Sequence, residues 1–285
     1  MPPANQHPFS PIFGANSRTM ETILDQTGPE PESTPDGKTL SQVLTDGYDF
    51  DFANTFGGGW NLWTKDIGQS ILYALVVGLI LFFSFFTIIG PIFLWLPLTA
   101  GYFVAADKLS KGLKPEFRDY FGGFRQYGKT LGLSLIFTLV FLLYLVIIFS
   151  VAVDFDMIFN LLDGNFTERE FLNWYFEFIG SMFSASLWGY VVGAFFIAIW
   201  IFSVPFVVIG NLGAVQALIA STKVVFKKFG MLLLYAVVLY ILEYVGALIL
   251  YIGLLAAAPL NSFLKYAAYK EIVGTNDKRK EYEEI

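Results

Sequence analysis

Six apolar stretches of 15 to 23 residues divide the chain between residues 71 and 268, and the charges sort around them. They cover residues 71–89, 92–106, 131–153, 188–209, 231–250 and 252–268. About 20 apolar residues in a helix span the hydrocarbon of a bilayer. Threading the stretches alternately places 17 of the 18 Lys and Arg residues on one side, with only Arg169 on the other. Basic residues in short loops are retained on the cytoplasmic side. The expectation is an all-α integral membrane protein with six transmembrane helices and cytoplasmic N and C termini.

Composition agrees and removes whole classes of chemistry. The chain is 55% apolar and only 15% charged, too few charges for a soluble domain of this size. It has no Cys and a single histidine, His7, in a polar segment. Disulfide, haem and iron–sulfur ligation are therefore not expected, and no cofactor or metal is.

Three regions follow. Residues 1–55 form an acidic tail carrying Pro2, Pro3, Pro8, Pro11, Pro29, Pro31 and Pro35. Such a segment buries too little apolar surface to offset its chain entropy. Two short pieces nevertheless have a helical apolar face: Met20, Ile23 and Leu24, and then Leu40, Val43 and Leu44. Both faces are expected to dock on a partner polypeptide, leaving a membrane core that begins after Trp60. Residues 56–272 form the transmembrane domain, and 273–285 a charged cytoplasmic tail.

A threefold pattern runs through the domain. Each outgoing span follows an aromatic pair spaced i, i+3 with a base nearby: Trp60 and Trp63, Phe124 and Tyr127, Phe226 and Phe229. Lys227 and Lys228 lie inside the third pair. Returning spans carry Pro97, Pro205 and Pro259, with residues 97–108 and 259–270 in the same register. Similarity in fixed register marks duplicated units, here three hairpins entered through interfacial amphipathic helices. Phe117, Tyr120, Phe121, Phe124 and Tyr127 make one such stripe, and Val215, Leu218, Ile219, Thr222, Phe226 and Phe229 another. Helices of this kind lie in the headgroup layer, bases toward anionic lipid.

The middle unit carries an outside insertion, residues 154–186. Thr167 and Glu170 form a capping-box pattern before a face of Phe171, Trp174, Tyr175, Phe178 and Met182. Asp154, Asp156 and Asp163 match no specific calcium loop. Asn165 begins a glycosylation triplet of a kind common by chance.

Glu243 is the acid inside an apolar run, and no Lys or Arg is expected within a span to pair with it. An intramembrane carboxylate is a candidate proton or cation site. A position near the outer interface, or a bond to a neighbouring helix, is the plainer alternative. Asn261, Asn211 and Thr99 could line a polar path, although single amides and hydroxyls more often join helices. No Ser–His pair, zinc set or phosphate loop is present.

The segments Gly59-Trp60-Asn61-Leu62-Trp63, Phe117-Arg118-Asp119-Tyr120-Phe121-Gly122-Gly123-Phe124 and Gly253-Leu254-Leu255-Ala256-Ala257-Ala258-Pro259-Leu260 resemble a group of bacterial multi-pass proteins. That group is related to the membrane domain attached to some glycerophosphodiester phosphodiesterases. The resemblance covers roughly residues 56–272 and implies paired helices with interfacial loops and no established activity. The phosphodiesterase domain itself has no counterpart here. The resulting expectation is a non-catalytic accessory or scaffold subunit in a bacterial inner membrane, binding other membrane subunits and lipids but not nucleic acid. The runner-up is a small transporter or lipid-handling protein using Glu243 and the proline-bearing helices.

Overall fold

Capping and glycine contacts set the ends of the helices and their closest approaches. The computed structural model describes residues 43–45, 47–87, 89–152, 159, 167–249 and 252–274, all within one unit spanning 31–285. Every regular element among them is helical. In chain order these are α1 (Phe52–Thr64), α2 (Ile67–Phe85), α3 (Gly90–Ser110), a 3₁₀ segment (Phe117–Gln126), α4 (Tyr127–Ala152), α5 (Glu168–Ile199), α6 (Ser203–Val208), α7 (Ala214–Lys227), α8 (Phe229–Leu248) and α9 (Leu254–Val273).

Asp51 opens α1 by accepting the backbone N–H groups of Ala53 and Asn54 at 3.0 and 3.1 Å. This satisfies donors that a helix start otherwise leaves bare. Gly59 then lets α1 lie directly on α9, because a Cβ there would come within 2.8 Å of Leu264 Cα. Gly246 does the same between α8 and α9, facing Gly253 and Ala257. Small residues allow the close crossing that apolar helices need in lipid.

Four helical stretches are long and apolar enough to cross a membrane: Ile67–Phe85, Gly90–Ser110, Phe117–Ile147 and Phe229–Leu248. The apolar helices are those of a multi-pass membrane protein. The fourth and sixth expected spans fall on α5 and α9, which are not among these four. The fourth is also discontinuous. α5 stops at Ile199, and α6 restarts at Ser203. Pro205 has no N–H for the carbonyl one turn back, so a continuous helix there would lose a bond. At its other end α5 opens at Thr167, whose hydroxyl accepts from Glu170 N–H while the Glu170 carboxylate accepts from Thr167 N–H. The insertion helix and the following apolar run are thus one helix of 32 residues, about 48 Å long at 1.5 Å per residue.

The buried core lies at the end of the bundle that carries Lys108, Lys129 and Lys270. Tyr73, Leu96, Leu98, Tyr120, Phe202, Phe206, Tyr235, Phe263, Tyr266 and Tyr269 are all fully enclosed there. Toward the opposite end, Phe82, Phe83, Phe85, Phe86, Leu139, Phe141, Leu143, Leu248 and Ile252 are exposed. Apolar surface on that scale needs a lipid or protein cover.

The N-terminal boundary differs from the expectation. Val43 is fully buried, and Tyr48 and Phe50 belong to the same core, ahead of Trp60. The Tyr48 hydroxyl donates to Val224 O at 2.9 Å, and Lys228 pairs with Asp49 at 3.2 Å. Phe50 and Phe52 both meet Tyr235 edge-on at 5.4 Å. Asp51 N–H donates to Glu271 at 2.7 Å, and the Thr55 hydroxyl donates to the same carboxylate. Val43, expected on a partner, is used by this chain itself, with Leu44 packed partly buried beside it. The remaining tail candidates, Met20, Ile23, Leu24 and Leu40, lie outside the described residues, as do His7, Asp154, Asp156, Asp163 and Asn165.

Candidate functional site

The two polar residues singled out in the last hairpin meet. α8 and α9 run side by side, and Asn261, 3% exposed, turns its amide toward α8. Its Nδ2 donates to Glu243 Oε2 at 2.8 Å and to Leu239 O at 3.3 Å. Asn261 Oδ1 is buried without a partner. Glu243 itself is exposed on the outer face of α8.

Glu243 also has a basic neighbour, contrary to the expectation. Lys265 stands inside the sixth apolar stretch, four residues beyond Asn261 on α9, and is half-buried. It forms no ion pair with Glu243 within 4.0 Å. In the sequence Lys265 passes for one more charge of the basic side. A position four residues from an inward-facing amide shares that amide's helix face.

A second polar cluster went unrecognised in the sequence. It is built from tyrosines at the basic end. Tyr120 donates its hydroxyl to Asp66 Oδ2 at 2.8 Å. Tyr73 donates to Leu98 O at 2.9 Å, and Tyr235 to Leu264 O at 2.8 Å. Tyr266 donates to Asp107 at 3.0 Å and shares a bond with Ser110 at 2.7 Å. Asp66 is 6% exposed, and burial pushes its carboxyl above the ordinary 3.8, opposed by the Tyr120 bond and the Lys114 charge. Burial likewise raises Glu271, assisted by the neighbouring Asp51 charge and opposed by the bond from Asp51 N–H. These hydroxyls and carboxylates are engaged in joining helices, so the arrangement stabilises the fold before it offers any group to a ligand.

The first stripe expected to float in the headgroup layer is instead built into the core. Residues Phe117–Gln126 form a 3₁₀ segment on α3, with Tyr120, Gly122 and Gly123 buried. A Cβ at Gly101 would stand 1.6 Å from Tyr120 O, and one at Gly123 2.1 Å from Pro97 O. Lys108 and Asp119 pair across the contact at 2.8 Å. Glycine on both sides lets backbone touch backbone, which a surface helix does not require.

The other interfacial candidates divide. Trp60 is exposed while Trp63, its ring 5.4 Å away, is buried. Phe124 stacks on the exposed Tyr127 at 6.0 Å, and Phe226 on Phe229 at 5.4 Å. On α7, Val215, Ile219 and Phe226 are exposed with Lys223 and Lys227 beside them, while Ala217, Ala220, Ser221, Val224 and Val225 face the core. Lys228, expected to face lipid, instead holds Asp49 and lies 5.9 Å over the Tyr48 ring. On α5, Phe171, Trp174 and Phe178 form a row of neighbouring rings, with Phe171 and Tyr175 exposed. Asn211 holds Lys129 through both its carbonyls at 2.6 Å, and Thr99 bonds back to its own helix.

Among the described residues no group of three or more His, Asp or Glu side chains is placed to hold a metal ion. Comparison with protein-family models, curated proteins and solved structures found no match for this chain.

Proposed function

We propose that this chain is a non-catalytic accessory or scaffold subunit of a larger complex in a bacterial inner membrane. In this reading both termini and the basic end are cytoplasmic. The chain crosses the membrane six times as three hairpins: α2 with α3, α4 with α5, and α8 with α9. Each hairpin follows an aromatic entry segment, namely α1, the 3₁₀ segment or α7. The kinship with the membrane domain of glycerophosphodiester phosphodiesterases is part of the same proposal.

One observation carries it. Glu243, the residue best placed by type for coupled transport, is exposed on the outside of the bundle and bonded to a neighbouring helix. A coupling carboxylate is expected to face the bundle interior or a watery cavity. The exposed Phe171 and Tyr175 on α5 and the exposed Val215, Ile219 and Phe226 on α7 suit binding to subunits and lipid.

Purification in mild detergent followed by identification of co-migrating subunits tests the reading. A defined complex that is lost when residues 2–42 are deleted supports it. A full-length chain that migrates alone from native membranes counts against it and moves the transport alternative ahead.

A further inference from the structure

We infer that Glu243 marks a docking line for a transmembrane helix of another polypeptide, one presenting a neutral hydrogen-bond donor at mid-depth. The inference rests on the accessory-subunit reading and names the chemistry of one contact.

Depth comes first. Asn261 lies nine residues along α9 from Lys270, about 13 Å at 1.5 Å per residue. With Lys270 at one membrane surface, the Glu243–Asn261 bond falls near the middle of a hydrocarbon layer about 30 Å thick. Around Glu243, Ile241, Val245 and Leu248 of α8 are exposed apolar side chains.

Satisfaction comes second. The two oxygens of a carboxyl group offer several acceptor positions. Among the described residues Glu243 receives one hydrogen bond, from Asn261. Lipid tails supply no donors, and intramembrane polar groups pair with one another or with backbone.

Charge then selects the occupant. Lys265 already supplies a cation on the Asn261 face of α9, one turn nearer the basic end. A partner cation would leave an excess positive charge in the hydrocarbon. A hydroxyl or amide adds a donor without adding charge, and such groups join transmembrane helices. A symmetric contact with a second copy, centred on Glu243, would bring two carboxylates together, so a different polypeptide fits better.

The test uses the full-length chain in lipid vesicles, carrying a fluorophore on Ile252→Cys. Acceptor-labelled leucine-host transmembrane peptides carry one central Asn, one central Lys or no polar residue. Energy transfer should show the Asn peptide binding wild type about three- to tenfold more tightly than the all-Leu peptide. Glu243→Leu should erase that preference and leave all-Leu binding unchanged. Glu243→Gln keeps an acceptor for Asn261, guards against a folding defect, and should retain only part of the preference. Equal binding of the Asn and all-Leu peptides overturns the inference. So does tighter binding of the Lys peptide, or energy transfer between two copies that Glu243→Leu abolishes. A Glu243→Leu chain that keeps its native subunits, with no peptide preference in wild type, sinks this inference and leaves the accessory reading standing.

Discussion

Tyr120 donates its phenolic hydroxyl to the Asp66 carboxylate, 54 positions earlier in the chain, at 2.8 Å. The bond ties the 3₁₀ segment to the start of α2. Tyr120→Phe leaves the ring packing and removes the donor from a buried carboxylate. The cost should be about 1–3 kcal/mol, read as a lower thermal midpoint in detergent.

The same carboxylate gives a signed pH dependence. Burial raises Asp66 in the folded state, so over the window above 3.8 the folded chain holds a proton that the unfolded chain has released. Its contribution to stability is full below that window and is lost as pH rises through the folded-state value. Asp66→Asn, which keeps an acceptor for Tyr120, should flatten this part of the stability profile. A profile unchanged by the substitution would mean that Asp66 does not titrate there.

Two glycines should respond in opposite ways. Gly101→Ala puts a Cβ against the Tyr120 carbonyl and must push the 3₁₀ segment off α3. Overpacking of this kind costs about 1–3 kcal/mol, or more where backbone is the obstacle. Gly57 lies in α1, and a Cβ added there would meet nothing within 4 Å. Gly57→Ala should be neutral or stabilising by up to about 1 kcal/mol, from helix propensity alone. Paired thermal melts check both.

Truncation separates the tail from the core. Removing residues 2–42 takes nothing of Val43, Tyr48 or Phe50 and should leave a well-folded bundle. Removing residues 2–50 strips the Tyr48–Val224 and Asp49–Lys228 bonds and the Phe50 ring from Tyr235. Burying a Phe ring is worth about 3–5 kcal/mol in cores, so the longer deletion should aggregate or melt early. Equal stability of the two would remove residues 43–50 from the core.

The apolar runs made the helical class legible, and the Thr167–Glu170 pattern marked the start of α5. Glu243 and Asn261 stood out as polar residues in apolar surroundings, yet their contact depends on how α8 crosses α9. The crossing is set by Gly246 and Gly253, which composition does not single out. The tyrosine cluster was hidden for a related reason. Tyr120 reads as an interfacial aromatic and Tyr266 is not singled out, while their partners Asp66 and Asp107 lie 54 and 159 positions away. Nothing local marks such a pair. The docked 3₁₀ segment escaped because its i, i+3, i+4 aromatics fit an interfacial helix equally well, and only Gly101 opposite Tyr120 decides between the two.

Orientation and the crossing of the first and last hairpins can be read in one experiment, because the chain contains no Cys. Phe86 and Ile252 are exposed at the tips of two hairpins, and Lys227 is exposed at the basic end. Single variants Phe86→Cys, Ile252→Cys and Lys227→Cys can be treated with a membrane-impermeant maleimide in intact and permeabilised cells. Six crossings with cytoplasmic termini require the first two to label in intact cells and the third only after permeabilisation. The α9 result is the informative one, because Lys265 and Asn261 make that helix the least apolar of the proposed crossings. If Ile252→Cys labels only after permeabilisation while Phe86→Cys labels directly, α8 and α9 do not cross as a hairpin. Glu243 would then lie away from mid-membrane, and the six-span reading would fall with it.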